Sequence, residues 1–194
     1  MKIGMDLDDT IADFWNAFLK FYYTKTRNKH LKTEFIEYKK FWRVLGISLE
    51  EGIKIANEFH KKHSLDEVKP AEGAVEGIWS MLKNKDELFV ITSRPIEFKK
   101  KIEKWIKYHL KTDKIKVIAS GQFYRGDAKA KKCVELGIDV FFEDCGESGI
   151  ECAKKEIKVV LFDAPWNKKF SHKNIKRVYN WGEAISELEK LRKN

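Results

Sequence analysis

Two acidic residues near the amino terminus have the type and spacing of a metal site. Asp6 and Asp8 lie two residues apart and directly follow the apolar run from Ile3 to Met5, which has the composition of a short buried strand. Two close carboxylates repel each other unless a cation or a proton lies between them. Oxygen ligands favour Mg²⁺. The pair therefore predicts a magnesium site, although an acidic turn after a strand can also serve only as a helix cap.

A second acidic pair, Glu143 and Asp144, ends another apolar run in the same way. The carboxyl ends of parallel strands meet at one edge of a sheet, which is where open α/β sheets bind their ligands. If this strand lies beside the first one, the pair closes the metal site from the opposite side.

Several potential phosphate-binding side chains follow the same logic. Thr92 and Ser93 end a third apolar run and offer hydroxyl and amide donors, and Arg94 follows as a possible clamp. Lys129 lies just inside a predicted helix capped by Asp127, and because helical side chains lean toward the helix amino terminus, its ammonium group could reach the crevice. Each of these residues alone has an ordinary structural explanation. Their shared position at or beyond strand ends favours a common site.

The elements that must position these residues are short β-rich runs separated by helical patterns. This alternation predicts an α/β fold, a Rossmann-like, doubly wound parallel sheet with helices on both faces. The predicted strands are Lys2 to Met5, Leu88 to Thr92, Lys116 to Ala119, Val140 to Glu143, Lys158 to Phe162 and Lys176 to Tyr179.

One long stretch interrupts the alternation, because residues 14–69 contain only helical patterns between the first and second strands. We interpret it as a small all-helical cap inserted after the first strand, so that residues 1–13 and 70–194 form the core domain. The cap is expected to hold one helix from Phe14, a second from Phe35 to Leu45, and a third that begins with Ser48 and Glu51 at the spacing of a capping box.

Composition limits the classes of function. The chain has 194 residues, of which 43% are hydrophobic and 36% charged, as in a folded globular protein. Its net charge of +9 favours anionic partners, but the lysines are spread along whole helices and do not form one patch. Three cysteines without a CxxC pair, together with the lack of a signal-peptide core or a membrane-spanning run, predict a cytoplasmic protein with no membrane association.

The order of these features resembles the haloacid dehalogenase (HAD) superfamily of phosphatases. The sequence DLDDT at residues 6–10 matches the first motif of that superfamily, DxDx[TV], and Thr92 matches the second. Lys129 is the candidate for the third motif, and Glu143 with Asp144 matches the acidic pair of the fourth. A helical insertion directly after the first motif looks like a C1-type cap.

Within that superfamily the chain is most similar to the 5′(3′)-deoxyribonucleotidase group and its prokaryotic relatives. The similar segments are DLDDTIADF from residue 6, KPAEGAVE from residue 69, FVITSRP from residue 89 and LFDAPWN from residue 161. In this group, aromatic residues of the cap stack on the nucleobase. The positions implied here are Phe14, Phe41 and Trp42, although an aromatic stripe at helical spacing is more often part of a core.

Some positions depart from the group. Asp9 stands where well-studied nucleotidases often have glycine, which leaves the substrate class open. Glu143 replaces the aspartate common at the start of the fourth motif, so its longer side chain could reach a metal-bound water while Asp144 binds the metal directly. Lys131 and Lys132 lie on the same predicted helix and stay open as alternatives for the motif lysine.

The resemblance implies a Mg²⁺-dependent phosphomonoester hydrolase with Asp6 as nucleophile and Asp8 as general acid and base. Asp6, Asp8 through its backbone carbonyl, Asp144 and the neighbouring Glu143 are then the metal residues, and Lys129 offsets charge on the phosphate. The expected substrate is a small phosphorylated molecule, most naturally a (deoxy)nucleoside monophosphate acted on by a 5′-nucleotidase. Three alternatives stay open: another small phosphate ester, nucleic-acid ends, and a basic nucleic-acid-binding module without enzymatic activity.

Overall fold

A single sheet of parallel strands organises the molecule, for which a computed structural model describes residues 1–37, 40–62, 65–121 and 127–193. Its strand order is β3-β2-β1-β4-β5-β6. The strands are β1 (Lys2–Met5), β2 (Glu87–Thr92), β3 (Ile115–Ala119), β4 (Val140–Glu143), β5 (Lys158–Phe162) and β6 (Ile175–Val178). All six predicted strands are therefore confirmed, with ends that differ by at most one residue.

The strand order places a topological switch between β1 and β4. From β1 the chain winds outward through β2 and β3, and then returns to pair β4 with the other side of β1. Helices on the two faces diverge at such a point and leave a crevice beyond the carboxyl ends of the two strands. Asp6 follows β1 and Glu143 ends β4, so both residues lie at that crevice.

Helices cover both faces of the sheet, as the doubly wound prediction requires. Buried residues from α4, α5 and α8 pack on one face, and residues from α6 and α7 pack on the other. The helices are α1 (Phe14–Thr26), α2 (Phe41–Val44), α3 (Leu49–Lys62), α4 (Ala74–Lys83), α5 (Lys99–His109), α6 (Asp127–Leu136), α7 (Gly146–Ala153) and α8 (Trp181–Lys193). None of the helices in the described ranges combines the length and the apolar composition needed to cross a membrane.

Helices α1, α2 and α3 lie between β1 and β2, where the cap was expected. The two ends of this segment are held together, because the Asp13 amide donates to the Lys69 carbonyl and the Ala71 amide donates to the Ile11 carbonyl, each at 2.9 Å. Buried aromatic side chains of the segment belong to the same hydrophobic cluster as β1 and β2. The division into a core domain and a cap stays a prediction.

Local structure in this segment differs from the sequence prediction in one place. Within the described residues, the α-helix in the expected stretch from Phe35 to Leu45 is α2, and residues 38–39 of that stretch lie outside the described ranges. Phe35 itself ends a short 3₁₀ turn with non-helical dihedrals because its ring is fully buried against Trp15, with ring centroids 4.7 Å apart. The expected start of α3 is confirmed, since the Ser48 hydroxyl accepts the Glu51 amide at 3.1 Å.

Candidate active site

Asp6 lies at the centre of the crevice. Its amide donates to the Phe142 carbonyl at 2.8 Å, which continues the pairing of β1 with β4 beyond the end of β1. The backbone of Asp6 is thereby fixed beside the acidic pair that ends β4. Its side chain is buried, so the carboxyl group meets its neighbours with little competition from water.

Lys129 joins the two acidic strand ends. Its Nζ lies 2.9 Å from Asp6 Oδ1 and 2.8 Å from Glu143 Oε2, and only 5% of the residue is exposed. Burial by itself lowers the pKa of the Lys129 ammonium group, but Asp6 and Glu143 more than offset this effect, and the pKa lies well above its usual value. Lys129 therefore stays charged at neutral pH.

The other two candidate lysines of α6 do not reach this site. Lys131 pairs with Asp127 at 2.7 Å, and Lys132 pairs with Glu135 at 2.5 Å, both on the exposed side of the helix. Of the three alternatives from the sequence, Lys129 is the one that the fold brings to Asp6.

Glu143 is completely buried and has polar contacts at both side-chain oxygens. Its Oε1 accepts the amides of Asp144 at 3.1 Å and Cys145 at 3.0 Å, and its Oε2 accepts the ammonium group of Lys129. These contacts hold Glu143 as a bridge between β4, the start of α7 and Lys129. Its predicted place among the metal residues thus competes with a structural role.

Asp144 is held by the segment that follows β5. The Trp166 indole nitrogen donates to Asp144 Oδ2 at 3.0 Å, and the Asn167 amide group donates to the Asp144 backbone carbonyl at 2.7 Å. Asn167 is fully buried, and its side chain also donates to the Phe162 carbonyl at 2.7 Å. The segment after β5 thus fixes both the backbone and the carboxyl group of Asp144.

The acidic cluster has the properties expected of a cation site. Ligand oxygens of Asp6, Glu143 and Asp144 all lie within 4.8 Å of one another. Burial, followed by the charges of Glu143 and Asp8, raises the pKa of Asp6 to about 8 despite the opposing effect of Lys129. Burial and the charge of Glu143 also raise the pKa of Asp144 well above its usual value. The single positive charge of Lys129 therefore does not neutralise the negative charge of the three carboxyl groups, and a hard divalent cation fits these oxygen donors.

Asp8 points to the same crevice and is paired with Arg94. The Arg94 Nε donates to Asp8 Oδ2 at 2.8 Å, and Nη2 donates to Oδ1 at 2.7 Å. Arg94 is 3% exposed, whereas 29% of the Asp8 side chain is exposed. Burial lowers the pKa of the Arg94 guanidinium, but Asp8 more than offsets this, so the group is fully charged. One edge of the guanidinium of Arg94, the predicted phosphate clamp, is thus bound to Asp8, the predicted acid/base residue.

Thr92 and Ser93 form the turn that carries Arg94. The buried Thr92 hydroxyl accepts the Arg94 amide at 3.2 Å, and the Thr92 carbonyl accepts the Ser120 hydroxyl at 3.1 Å. Ser93 is half-buried between them. The turn lies at the carboxyl end of β2, next to β1, as the sequence predicts for phosphate-binding groups.

Sequence reasoning missed a lysine of the helical segment, Lys32, that reaches the loop after β1. Lys32 Nζ lies 2.7 Å from Asp9 Oδ1 and 5.3 Å from the centre of the Trp166 ring. Asp9 has a positive φ of 55°, which aspartate tolerates better than most residues, and it also accepts the Trp15 amide at 3.3 Å. Burial raises the pKa of Asp9 to about 6, and Lys32 opposes that rise.

Phe14, one of the predicted stacking residues, contacts Arg94. The Arg94 guanidinium carbon is 5.5 Å from the centre of its ring, a cation–π contact. The ring also stacks on Phe18 and meets Phe59 edge to face, with centroid distances of 6.2 and 5.4 Å. Phe14 therefore links the start of α1 to the residues after β2.

Phe41 and Trp42 pack within the helical segment. The Phe41 ring lies 6.0 Å from Trp15 and 5.6 Å from Phe18, and Trp42 lies against Gly52, where a Cβ atom would come within 2.9 Å of the Trp42 Cβ. Both rings are half-buried, so these contacts fit an aromatic core as well as a substrate surface. Their role toward a nucleobase stays a prediction.

Comparison with known proteins gives this geometry a family context. Residues 1–192 match the sequence profile of the family described as 5′ nucleotidase, deoxy (Pyrimidine), cytosolic type C protein. A nucleotidase from Clostridium acetobutylicum is 24% identical over 196 residues, which cover 98% of this chain and 95% of that protein.

Solved structures support the fold. A haloacid dehalogenase-like hydrolase from Streptococcus pneumoniae superposes with a TM-score of 0.66 at 11% identity, covering 96% of this chain and 97% of the other. The protein CbbY from Rhodobacter sphaeroides, solved in complex with phosphate, gives a TM-score of 0.61 at 13% identity and covers 94% and 95%.

Proposed function

This chain belongs to the cytosolic type C 5′-nucleotidase family and is a phosphomonoester hydrolase of the HAD superfamily, and from this premise we propose that it hydrolyses (deoxy)nucleoside monophosphates with Mg²⁺ through an aspartyl-phosphate intermediate. The observation that carries the proposal is the position of Asp6. Its buried carboxyl group lies at the switch between β1 and β4, 2.9 Å from Lys129 and in one cluster with Asp144.

In the first step, a carboxylate oxygen of Asp6 attacks phosphorus and the bond from phosphorus to the leaving oxygen breaks. The phosphoryl group is then carried by Asp6. Lys129 supplies a fixed positive charge beside this carboxylate, where negative charge develops on the phosphoryl oxygens. Mg²⁺ supplies further charge neutralisation when bound, and Asp6, Asp144 and the backbone carbonyl of Asp8 are the proposed ligands. A direct or water-mediated contact from Glu143 stays a prediction.

Asp8 carries the proton in both steps. It gives a proton to the leaving alkoxide oxygen as the phosphorus–oxygen bond breaks, and it takes one from the water that then attacks the phosphorus of the aspartyl phosphate. One carboxyl group thus acts first as an acid and then as a base, and Asp6 is regenerated with release of inorganic phosphate.

The surrounding residues bind and enclose the substrate. Thr92 and Ser93 are the proposed phosphate ligands from β2, and phosphate binding by Arg94 stays a prediction. We place the helical segment of residues 14–69 over the crevice as a cap that excludes water during the reaction. Aromatic residues of that cap, Phe14 among them, are the candidates for stacking on the base. The proposed location is the cytoplasm, in keeping with the family description.

Phosphate release from a panel of esters tests this function. The panel contains ribonucleoside and deoxyribonucleoside monophosphates, sugar phosphates, p-nitrophenyl phosphate and a 5′-phosphorylated oligonucleotide, each with Mg²⁺ or with EDTA. We expect Mg²⁺-dependent release that is fastest with deoxynucleotides. Preference for another small ester would keep the mechanism and reject the substrate, and preference for the oligonucleotide would favour nucleic-acid ends. Salt-sensitive binding of the oligonucleotide without phosphate release would favour a binding module.

A further inference from the structure

We propose that Arg94 is a positioning residue, which holds the carboxyl group of Asp8 in place for proton transfer, and is not a phosphate ligand. The inference rests on the proposed phosphatase function, because it assigns Asp8 the proton-transfer role. It concerns a contact that the sequence motifs do not predict, between the loop after β1 and the loop after β2.

The guanidinium holds Asp8 by two parallel hydrogen bonds. Nε and Nη2 each contact a different carboxyl oxygen, at 2.8 and 2.7 Å. A bidentate pair of this type fixes the rotation of the carboxyl group as well as its position. Each carboxyl oxygen keeps a second lone pair, so one oxygen can carry the proton that is given to the leaving group while the pair persists. The exposed 29% of the Asp8 side chain is the part that a substrate can reach.

Arg94 is itself fixed at three points besides Asp8. Its amide donates to the Thr92 hydroxyl at 3.2 Å, its carbonyl accepts the Gly121 amide at 3.0 Å, and its guanidinium lies over the Phe14 ring. Two of these contacts fix the Arg94 backbone and the third fixes its guanidinium, so Asp8 has a preorganised partner, which is what a proton-transfer group needs for precise alignment. The Phe14 contact also connects this alignment to helix α1.

The same geometry argues against a phosphate clamp. An arginine binds phosphate bidentately through two adjacent N–H groups, and the Nε–Nη2 edge of Arg94 is on Asp8, which leaves the Nη1–Nη2 edge of a residue that is only 3% exposed. Turning that edge toward phosphate would leave the Asp8 carboxylate without this partner in a partly buried site, which is costly. Lys129 already places a cation beside the nucleophile.

Leaving-group dependence separates the two roles. The alkoxide of a deoxynucleotide is strongly basic and needs a proton as it leaves, whereas the phenolate of p-nitrophenyl phosphate is stable and needs little help. For Arg94→Met we expect the first turnover of a deoxynucleoside monophosphate, measured by rapid quench, to slow by about a hundredfold, the lower end of the usual contribution of acid–base catalysis. The first-turnover burst of p-nitrophenol should change by less than about threefold, because that step makes little use of Asp8. Arg94→Lys, which keeps the charge but not the fork, should lie between Arg94→Met and the unmodified protein.

Two further measurements separate a positioning role of Arg94 from phosphate binding. Asp8→Asn should show the same leaving-group pattern, and adding Arg94→Met to it should slow the first turnover no further. Binding of inorganic phosphate in the presence of Mg²⁺, measured by calorimetry, should be unchanged in Arg94→Met, whereas loss of a clamp would weaken it by about tenfold or more.

Arg192→Met is the matched control. Arg192 forms a second bidentate pair, with Asp86 at the amino-terminal edge of the sheet, and its loss should not alter the leaving-group dependence. Equal loss with both esters together with weaker phosphate binding would overturn the proposal in favour of a clamp, and unchanged turnover in Arg94→Met would overturn it outright. Should Arg94→Met fail to fold, as judged by thermal unfolding, Arg94→Gln is put through the same comparison. Failure of the proposed function looks different, because the unmodified protein would then release no leaving group from either ester.

Discussion

Binding of Mg²⁺ should depend steeply on pH because it requires ionised carboxylates. In the metal-free protein, burial and neighbouring charge raise the pKa of Asp6 to about 8, from 3.8 in the unfolded chain. A carboxyl group with a raised pKa contributes stability that is fully present below about pH 4 and is lost as the pH rises through about 8. The metal-free site is therefore least favourable at the pH where Mg²⁺ binds best, so the ion should stabilise the protein most at high pH.

The magnitude follows from proton counting. If binding releases the one proton of Asp6, the apparent dissociation constant of Mg²⁺ rises about tenfold for each unit that the pH falls below 8. Between pH 6 and pH 8 the expected change is then about 50-fold, because Asp6 is already half-ionised at its pKa. Asp144 has a raised pKa as well, so a second released proton would steepen the dependence further.

Isothermal titration calorimetry in buffers of different ionisation enthalpy measures both the affinity and the number of protons released. We expect about one proton released at pH 6, and fewer at pH 8.5. Asp6→Asn is the matched variant, since its amide keeps the shape of the side chain but has no proton to release. An affinity for Mg²⁺ that stays constant between pH 6 and pH 8, with no proton release, would refute this reasoning about the buried cluster.

Two other contacts give direct predictions. Trp166→Phe removes the indole that donates to Asp144, so we expect the dissociation constant of Mg²⁺ to rise by about tenfold. The same calorimetric titration measures this constant. Trp79→Phe is the control, because its indole donates to the Leu110 carbonyl instead, and it should leave the constant unchanged. In a double-mutant cycle of Lys32→Met and Asp9→Asn, followed by chemical unfolding, we expect a coupling free energy of roughly 1–2 kcal/mol, typical of a charged hydrogen bond that is partly buried. Additive effects on stability would show that the pair does not tie the helical segment to the loop after β1.

The sheet and the positions of the candidate site residues at its strand ends could be predicted because they follow from local sequence. Each strand is short, apolar and bounded by polar residues, and a parallel arrangement sends every strand end to the same edge. The convergence of Asp6 and Glu143 can therefore be predicted without any knowledge of side-chain contacts. The direction in which Lys129 points also follows from local helix geometry.

The contacts between separate loops could not be predicted in the same way. Arg94 binds Asp8 from 86 residues away, and Trp166 binds Asp144 from 22 residues away. Nothing in the local pattern distinguishes Arg94 from a phosphate ligand, because the same guanidinium edge suits a carboxylate and a phosphate equally. Lys32 could not be distinguished from the many other lysines of the sequence for a related reason. Its contact with Asp9 depends on how the helical segment folds back on the loop after β1.

The same limit explains the misjudged helix of the inserted segment. Apolar residues from Phe35 onward have helical spacing, but Phe35 is a buried contact of Trp15 and has non-helical dihedrals, so the predicted helix does not begin there. Tertiary burial of one aromatic ring outweighed the local helical pattern.

Identification of the phosphorylated residue tests the central claim most directly. The protein is mixed with Mg²⁺ and a deoxynucleoside monophosphate, quenched in acid during the first turnover, reduced with borohydride and digested for mass spectrometry. An acyl phosphate on aspartate is reduced to homoserine, so we predict homoserine at position 6 and unmodified Asp8 and Asp144. Nucleotide hydrolysis without reducible phosphate on Asp6, or with the label on another carboxyl group, would contradict the account.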